Sequence, residues 1–239
     1  GTLTINNVDK TFTKRSEAEL RALISANESD PQIALTCTSG ITSMSNLFEN
    51  KSTFNEDIST WDVSGVIDMS QMFSHAHEFS GDLSRWDVSS VTSMRVMFKD
   101  CHAYSQDLLS WDVSSVTTME YMFENNRFFN GDISNWDVSN VTKMHKLFVN
   151  ASKFNQDISG WNVSKVTDMG SMFRNAKDFN QDLSRWDIPR VTTMNSMFDS
   201  SGVSTSNYDA ILTGWSQQTV QPNVALGAAG LAYCSGEAA

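Results

Sequence analysis

The sequence predicts an α/β solenoid of 25-residue coils, each with one short parallel strand and one short helix, capped at both ends. Three observations predict it. Trp61, Trp86, Trp111, Trp136, Trp161 and Trp186 follow one another at 25-residue steps with no insertion. The same step links Met44, Met69, Met94, Met119, Met144, Met169 and Met194, and again Phe48, Phe73, Phe98, Phe123, Phe148, Phe173 and Phe198. Finally, neither half of the unit is long enough to fold alone, because two turns of helix and a lone strand are both marginal in water. Stacking solves this: each column packs on its own copies about 4.8 Å away, and every coil runs the same way. A propeller blade needs about 40 residues and a coiled coil needs heptads, so neither fits.

The unit reads V-T-x-M-x-x-M-F-x-x-A-x-x-F-N-x-D-I-S-x-W-D-V-S-x. In M-x-x-M-F-x-x-A the apolar residues recur at i, i+3, i+4 and i+7, one face of a short helix. Thr92, Thr117, Thr142, Thr167 and Thr192 stand just before it and read as N-caps. In I-S-x-W-D-V-S the apolar residues alternate, which reads as a strand with Trp and Val on one face. Residues 1–40 are expected to be an N-terminal cap, 41–200 the repeat array and 201–239 a C-terminal cap cut short. Ser16-Glu17-Ala18-Glu19 is a capping-box pattern opening a helix. Ile33–Thr38 falls where a first strand belongs, with Thr36 in the Trp position, and reads as a transition strand. Asn207–Trp215 reads as a capping helix.

Composition bounds the function. In 239 residues, 17 Lys and Arg stand against 28 Asp and Glu, a net charge of −11, which disfavours nucleic acid or an anionic membrane as a general partner. No apolar run approaches the roughly 18–20 residues of a membrane span. Three cysteines exclude a disulfide-dense mini-domain. Cys101 falls in the small-residue column of Ala76, Ala151 and Ala176 and is expected to be a buried, inert thiol; Cys37, Cys101 and Cys234 are expected to form no disulfide with one another.

The phrase F-N-x-D-I-S-x-W-D-V-S-x-V-T-x-M-x-x-M-F resembles the bacterial surface-protein repeat of about 26 residues, related to the leucine-rich repeats of BspA-like surface proteins. The likeness covers residues 41–200, and the tail from Asn207 to Trp215 and beyond resembles the element that closes such arrays. It implies a right-handed, leucine-rich-repeat-like solenoid placed extracellularly or on a cell surface, and it implies no particular ligand.

Two aspartate columns stand out. The first is Asp57, Asp82, Asp107, Asp132, Asp157 and Asp182, and the second includes Asp62, Asp87, Asp112, Asp137 and Asp187, with Asn162 among them. Charges about 5 Å apart repel, so something must offset them. Each carboxylate either accepts backbone N–H bonds in a tight turn or helps hold a divalent cation, calcium above all. The first reading is favoured because no D-x-D-x-D-G loop is present; the metal reading would use Asp62, Asp87, Asp112 and Asp137. Asn55, Ser80, Ser105, Asn130, Asn155 and Asn180 resemble the asparagine ladder of leucine-rich repeats. His77 and His102, one period apart, are placed to stack. No nucleophile elbow, P-loop, H-E-x-x-H or C-x-x-C occurs, no local break in the repeat is seen between 54 and 200, and no cofactor is expected.

Specificity can reside only in outward positions that vary. On the strand face these are Thr60, Arg85, Ser110, Asn135 and Arg185, with Lys165 and Arg190 just after the strand. The chain is therefore expected to be a non-catalytic adhesion or interaction module binding protein or glycan on a cell or host surface. A rigid spacer presenting other domains is the alternative. Ice binding is disfavoured, because the one Thr column is assigned to helix caps and the exposed pairs Arg95/Val96, Glu120/Tyr121, His145/Lys146 and Gly170/Ser171 do not repeat.

Overall fold

The computed structural model describes residues 2–5 and 8–233. Strands β1 (Thr2–Ile5) and β2 (Val8–Thr11) form an antiparallel pair. Strand β3 (Thr13–Lys14) runs parallel to β4 (Thr36–Cys37), and helix α1 (Glu17–Ala26) lies between them in the chain. The Ser16 hydroxyl accepts the Glu19 N–H, and the Glu19 carboxylate accepts the Ser16 N–H at 2.8 Å, the expected capping box. Leu20 and Ile24, four residues apart, give α1 a buried face that joins Ile33 and the core of the first layer. The expected transition strand is β4.

From residue 41 the chain forms 25-residue layers. Parallel bridges tie Ser43, Asp68, Ser93, Thr118, Lys143, Asp168 and Thr193 into one line. The Met, Phe, Trp and Val columns are buried in one continuous core. The Phe48–Phe198 column stacks at 5.5–5.8 Å between centroids. In each layer a second ring lies against the first at 3.7–4.3 Å. Each repeat indole N–H donates to a carbonyl 28 residues earlier at 2.9–3.3 Å, from Trp61 to Ile33 through Trp186 to Ile158, so even the largest core side chain leaves no polar atom unpaired.

Two expectations are corrected. The segment M-x-x-M-F is not helical. Its N–H groups alternate between turns within the layer (Leu47 to Met44, Glu49 to Asn46, Lys51 to Phe48) and the next layer (Met44 to Asp68, Asn46 to Ser70, Phe48 to Met72, Asn50 to Ser74), all at 2.9–3.2 Å. Asn46 (φ 59°) and Asn50 (φ 60°) are left-handed, as are their counterparts in later layers. Left-handed residues four apart cannot sit in an α-helix, and each costs about 1–2 kcal/mol for an L-residue, least for Asn. The turn chain still brings Met44, Leu47 and Phe48 inward, so its four-residue rhythm produces the spacing that also marks a helix face. The second correction concerns W-D-V. Trp61 and Val66 close turns onto Ile58 and Val63 at 3.0 and 2.9 Å, and the parallel bridges lie instead at the residue before each Met. Trp and Val alternate inward because the chain turns on both sides of them.

After Phe198 the chain forms α2 (Thr205–Ser216), which contains the expected capping segment. The Ser204 hydroxyl accepts the Asn207 N–H at 3.3 Å, and Tyr208, Ile211 and Trp215 are buried. The tail then returns over the last layer: Met194 bridges Leu226 in parallel, and the Phe198 and Ser200 N–H groups donate to Gly227 and Ala229 at 2.8 and 2.7 Å. Cys101 is fully buried and donates its thiol to the Ala76 carbonyl at 3.1 Å. Burial pushes that thiol far above the usual range. Cys37 is half-buried and free, as Cys101 is; Cys234 lies outside the described residues.

Candidate functional site

The outward side chains divide into those that hold the layers and those that do not. In the aspartate columns, Asp62 Oδ1 accepts the Ser64 N–H and hydroxyl at 3.2 and 2.7 Å, and Asp57 Oδ1 accepts those of Ser59 at 3.1 and 2.6 Å. The same Asp-to-Ser turn recurs at Asp87, Asp112 and Asp137. The Ser89 hydroxyl, then its N–H, holds the Asp87 carboxyl below its ordinary range; Ser114 and Ser159 act likewise on Asp112 and Asp157. At Asp82 the Ser84 N–H comes first. These carboxylates are turn acceptors. Among the described residues no three His, Cys, Asp or Glu side chains converge on one point.

Asparagines link the layers. Asn55 Oδ1 accepts the Ser80 N–H at 3.0 Å, Asn130 that of Asn155 at 2.9 Å, Asn155 that of Asn180 at 2.8 Å, and Asn180 that of Ser204 at 2.8 Å. A second ladder escaped the sequence reading: Asn150 Nδ2 donates to Asn125 Oδ1 at 2.6 Å, and Asn175 Nδ2 to Asn150 Oδ1 at 2.8 Å. The threonine column is corrected as well. With no helix to cap, Thr92, Thr117, Thr142, Thr167 and Thr192 each donate both N–H and hydroxyl to the carbonyl one layer back.

The residues expected on a strand face do not form one. Thr60, Arg85, Ser110, Asn135, Lys165, Arg185 and Arg190 are all exposed, but they sit on turns. Ser110 donates to the Ser84 carbonyl at 2.6 Å and Lys165 to Asn140 Oδ1 at 2.6 Å. His77 and His102 stack at 5.0 Å, and His102 Nδ1 lies 3.1 Å from the Asn125 carbonyl, to which it donates. A cleft of about 540 Å³ lies beside the start of α1, lined by Lys14, Arg15, Glu17, Glu19, Ser39 and Ile41.

One group of side chains in contact outside the repeating ladders surrounds Tyr121. Tyr121 (φ 60°) sits in the left-handed column. Arg95 Cζ lies 5.5 Å and Lys146 Nζ 5.4 Å from its ring centroid, and the His145 ring meets it edge-on at 5.4 Å. His145 Nδ1 stands 3.3 Å from Asp168 Oδ1. The expectation of an unbroken repeat also needs correction. Asn126, in the column of Ala76 and Cys101, is fully buried, and neither side-chain amide atom has a partner among the described residues. Phe128 is 61% exposed where Lys153 and Ala103 hold the same place. Reading each column for its odd member would have found both.

A continuous core clamped by side-chain ladders defines a repeat protein in which the outward non-repeating residues are the ones left over from the scaffold. The family described as "Mycoplasma protein of unknown function, DUF285" matches residues 19–127 and again 99–215, and the chain belongs to that family. No curated protein matches the chain.

Proposed function

We propose that the chain is a non-catalytic extracellular or cell-surface interaction module, related to BspA-like leucine-rich-repeat proteins, which binds protein or glycan through the surface of a right-handed solenoid. The observation that carries this reading is the division of labour among columns. The Asp, Asn and Thr columns are engaged in turns and in bonds between layers, whereas Arg85, Ser110, Asn135, Arg95, Glu120 and His145 differ from layer to layer at equivalent outward places. A long stack with one rigid core presents such variation over a broad surface, which suits recognition of macromolecules better than enclosure of a small substrate. The test is to probe the purified chain against glycan and surface-protein arrays. Saturable retention of a defined partner is expected. Silence on both arrays, together with unaltered function of a parent protein shortened by one whole repeat, would favour a rigid spacer instead.

A further inference from the structure

The side of the stack centred on Tyr121 differs from the others. Tyr121 is an aromatic residue held at φ 60°, where Asn46 stands in an earlier layer. Val96 (φ 62°) and Lys146 (φ 55°) hold the same column in the adjacent layers, so the fold sets that backbone, and what is particular to Tyr121 is the set of side chains around its ring. Gly170 completes the arrangement: a Cβ there would stand 2.8 Å from His145 Nδ1, so the missing side chain leaves room for the imidazole that packs on Tyr121. The cations flanking the ring retain unused donors. Arg95 lies 3.8 Å from Glu120 and Lys146 4.0 Å from Glu124, both beyond the 2.7–2.9 Å typical of a charge-assisted hydrogen bond. Lys99 Nζ lies nearer its carboxylate, 2.9 Å from Glu124 Oε2. Lys143, exposed in the bridge column one layer beyond Tyr121, adds a third available cation.

We propose that this face docks an acidic segment of a partner protein, with Tyr121 as the anchor and Arg95, Lys143 and Lys146 pairing with its carboxylates. A rigid aromatic beside arginine is the composition of an interface hot spot. Arg95, Lys99, Lys143 and Lys146 stand here among Glu120, Glu124 and Asp168, a small cationic excess on a chain of net charge −11, which favours a carboxylate-rich partner at this place over the rest of the surface.

This inference rests on reading the chain as an interaction module, and the test separates the two. The whole chain is titrated into a fluorescein-labelled glutamate-rich peptide and its glutamine counterpart, with anisotropy read at low and high salt. Binding of the acidic peptide alone, weakened by salt, is expected. Tyr121→Asn, Arg95→Gln and Lys146→Gln should each weaken it about tenfold or more, whereas Lys177→Gln, at an exposed cation outside this group, should not. Tyr121→Asn keeps a residue suited to the left-handed backbone, so its melting temperature should match or exceed that of the wild type. Wild-type affinity in Tyr121→Asn and Lys146→Gln, or equal loss in Lys177→Gln, overturns the docking face while leaving the module reading intact. A wild-type chain that ignores the acidic peptide but binds an acidic glycan also overturns it. If the chain binds neither and no array partner is found, both readings fall.

Discussion

The indole N–H of Trp215 donates to the carbonyl of Leu183 at 3.0 Å, continuing the ladder in which Trp186 donates to Ile158 at 3.0 Å. Trp215 comes from α2, not from a repeat, and its ring stacks on Phe198 at 6.4 Å. The cap therefore supplies the next tryptophan of the column from a different backbone. Trp215→Ala should cost about 3–5 kcal/mol, as for other buried large aromatics. Trp215→Phe should cost about 0.5–1.5 kcal/mol, because it removes one hydrogen bond from the Leu183 carbonyl, which still accepts the Trp186 N–H. Denaturant titration of both variants checks this; a Phe variant as stable as the wild type would show that the bond contributes nothing. Trp111→Ala, in mid-array, should also lose about 3–5 kcal/mol and can split the unfolding into two transitions.

Gly214 shows how closely α2 lies on the layers. A Cβ there would collide with the Ser184 carbonyl oxygen. Helix propensity alone favours Ala over Gly by about 1 kcal/mol, whereas overpacking costs about 1–3 kcal/mol. The collision should win, so Gly214→Ala should lower the denaturation midpoint. A raised midpoint would mean that α2 does not rest on Ser184.

The second asparagine ladder allows backbone and side-chain contributions to be separated. Asn150 is left-handed (φ 59°) and its amide bonds both neighbouring layers. Asn150→Ala loses the bonds and puts alanine where asparagine tolerates the left-handed backbone better, about 2–3 kcal/mol together. Asn150→Gly loses the bonds but relieves the backbone, so it should be the milder change. If Gly proves as harmful as Ala, the backbone conformation is not a factor.

The aspartate turns predict acid sensitivity of a definite sign. Hydrogen bonds from serine lower the carboxyls of Asp82, Asp87, Asp112 and Asp157 in the folded state. A depressed folded pKa contributes stability above the unfolded value of about 3.9 and loses it as pH falls through the folded value. Melting temperature should therefore fall below about pH 4. Ser89→Ala should flatten that fall relative to wild type; an unaltered acid limb would show that Asp87 does not draw its shift from Ser89.

The inward columns were legible because burial leaves a period in the sequence: Trp61, Met69 and Phe73 recur wherever the core needs them. The local backbone was less legible. A spacing of i, i+3, i+4 fits a helix face and a chain of four-residue turns equally, and only the left-handed residues separate them. Asn46 and Asn50 carry that signal, since Asn tolerates φ > 0, but Val96, Tyr121 and Lys146 hide it in the layers between. The sheet face is the part not legible, for the same reason. Once W-D-V was read as strand, Arg85 and Arg185 seemed to share a sheet face, whereas hydrogen bonding places the parallel line at Ser43, Asp68 and Ser93.

Asn126 tests the core most sharply. Its column holds Ala76, Cys101, Ala151 and Ala176 in the neighbouring layers, and its amide is fully buried with both polar atoms unpartnered among the described residues. The Tyr104 hydroxyl, one layer away, is also buried and unpartnered, and the Tyr104–Phe129 ring spacing opens to 6.5 Å against 5.6–6.0 Å elsewhere in that column. Asn126→Ala removes a desolvated amide, whose burial without partners costs about 1–3 kcal/mol. It also removes three heavy atoms, and at about 24 cal/mol per Å³ the vacated space costs on the order of 1 kcal/mol. The first effect should win, so Asn126→Ala should raise stability by about 1 kcal/mol. Asn126→Asp should do the reverse, because it forces either a buried charge or a shifted carboxyl. Denaturant titration of both variants decides the matter. A loss of more than about 1 kcal/mol in Asn126→Ala would show that the buried amide is bonded in solution and holds this part of the array together.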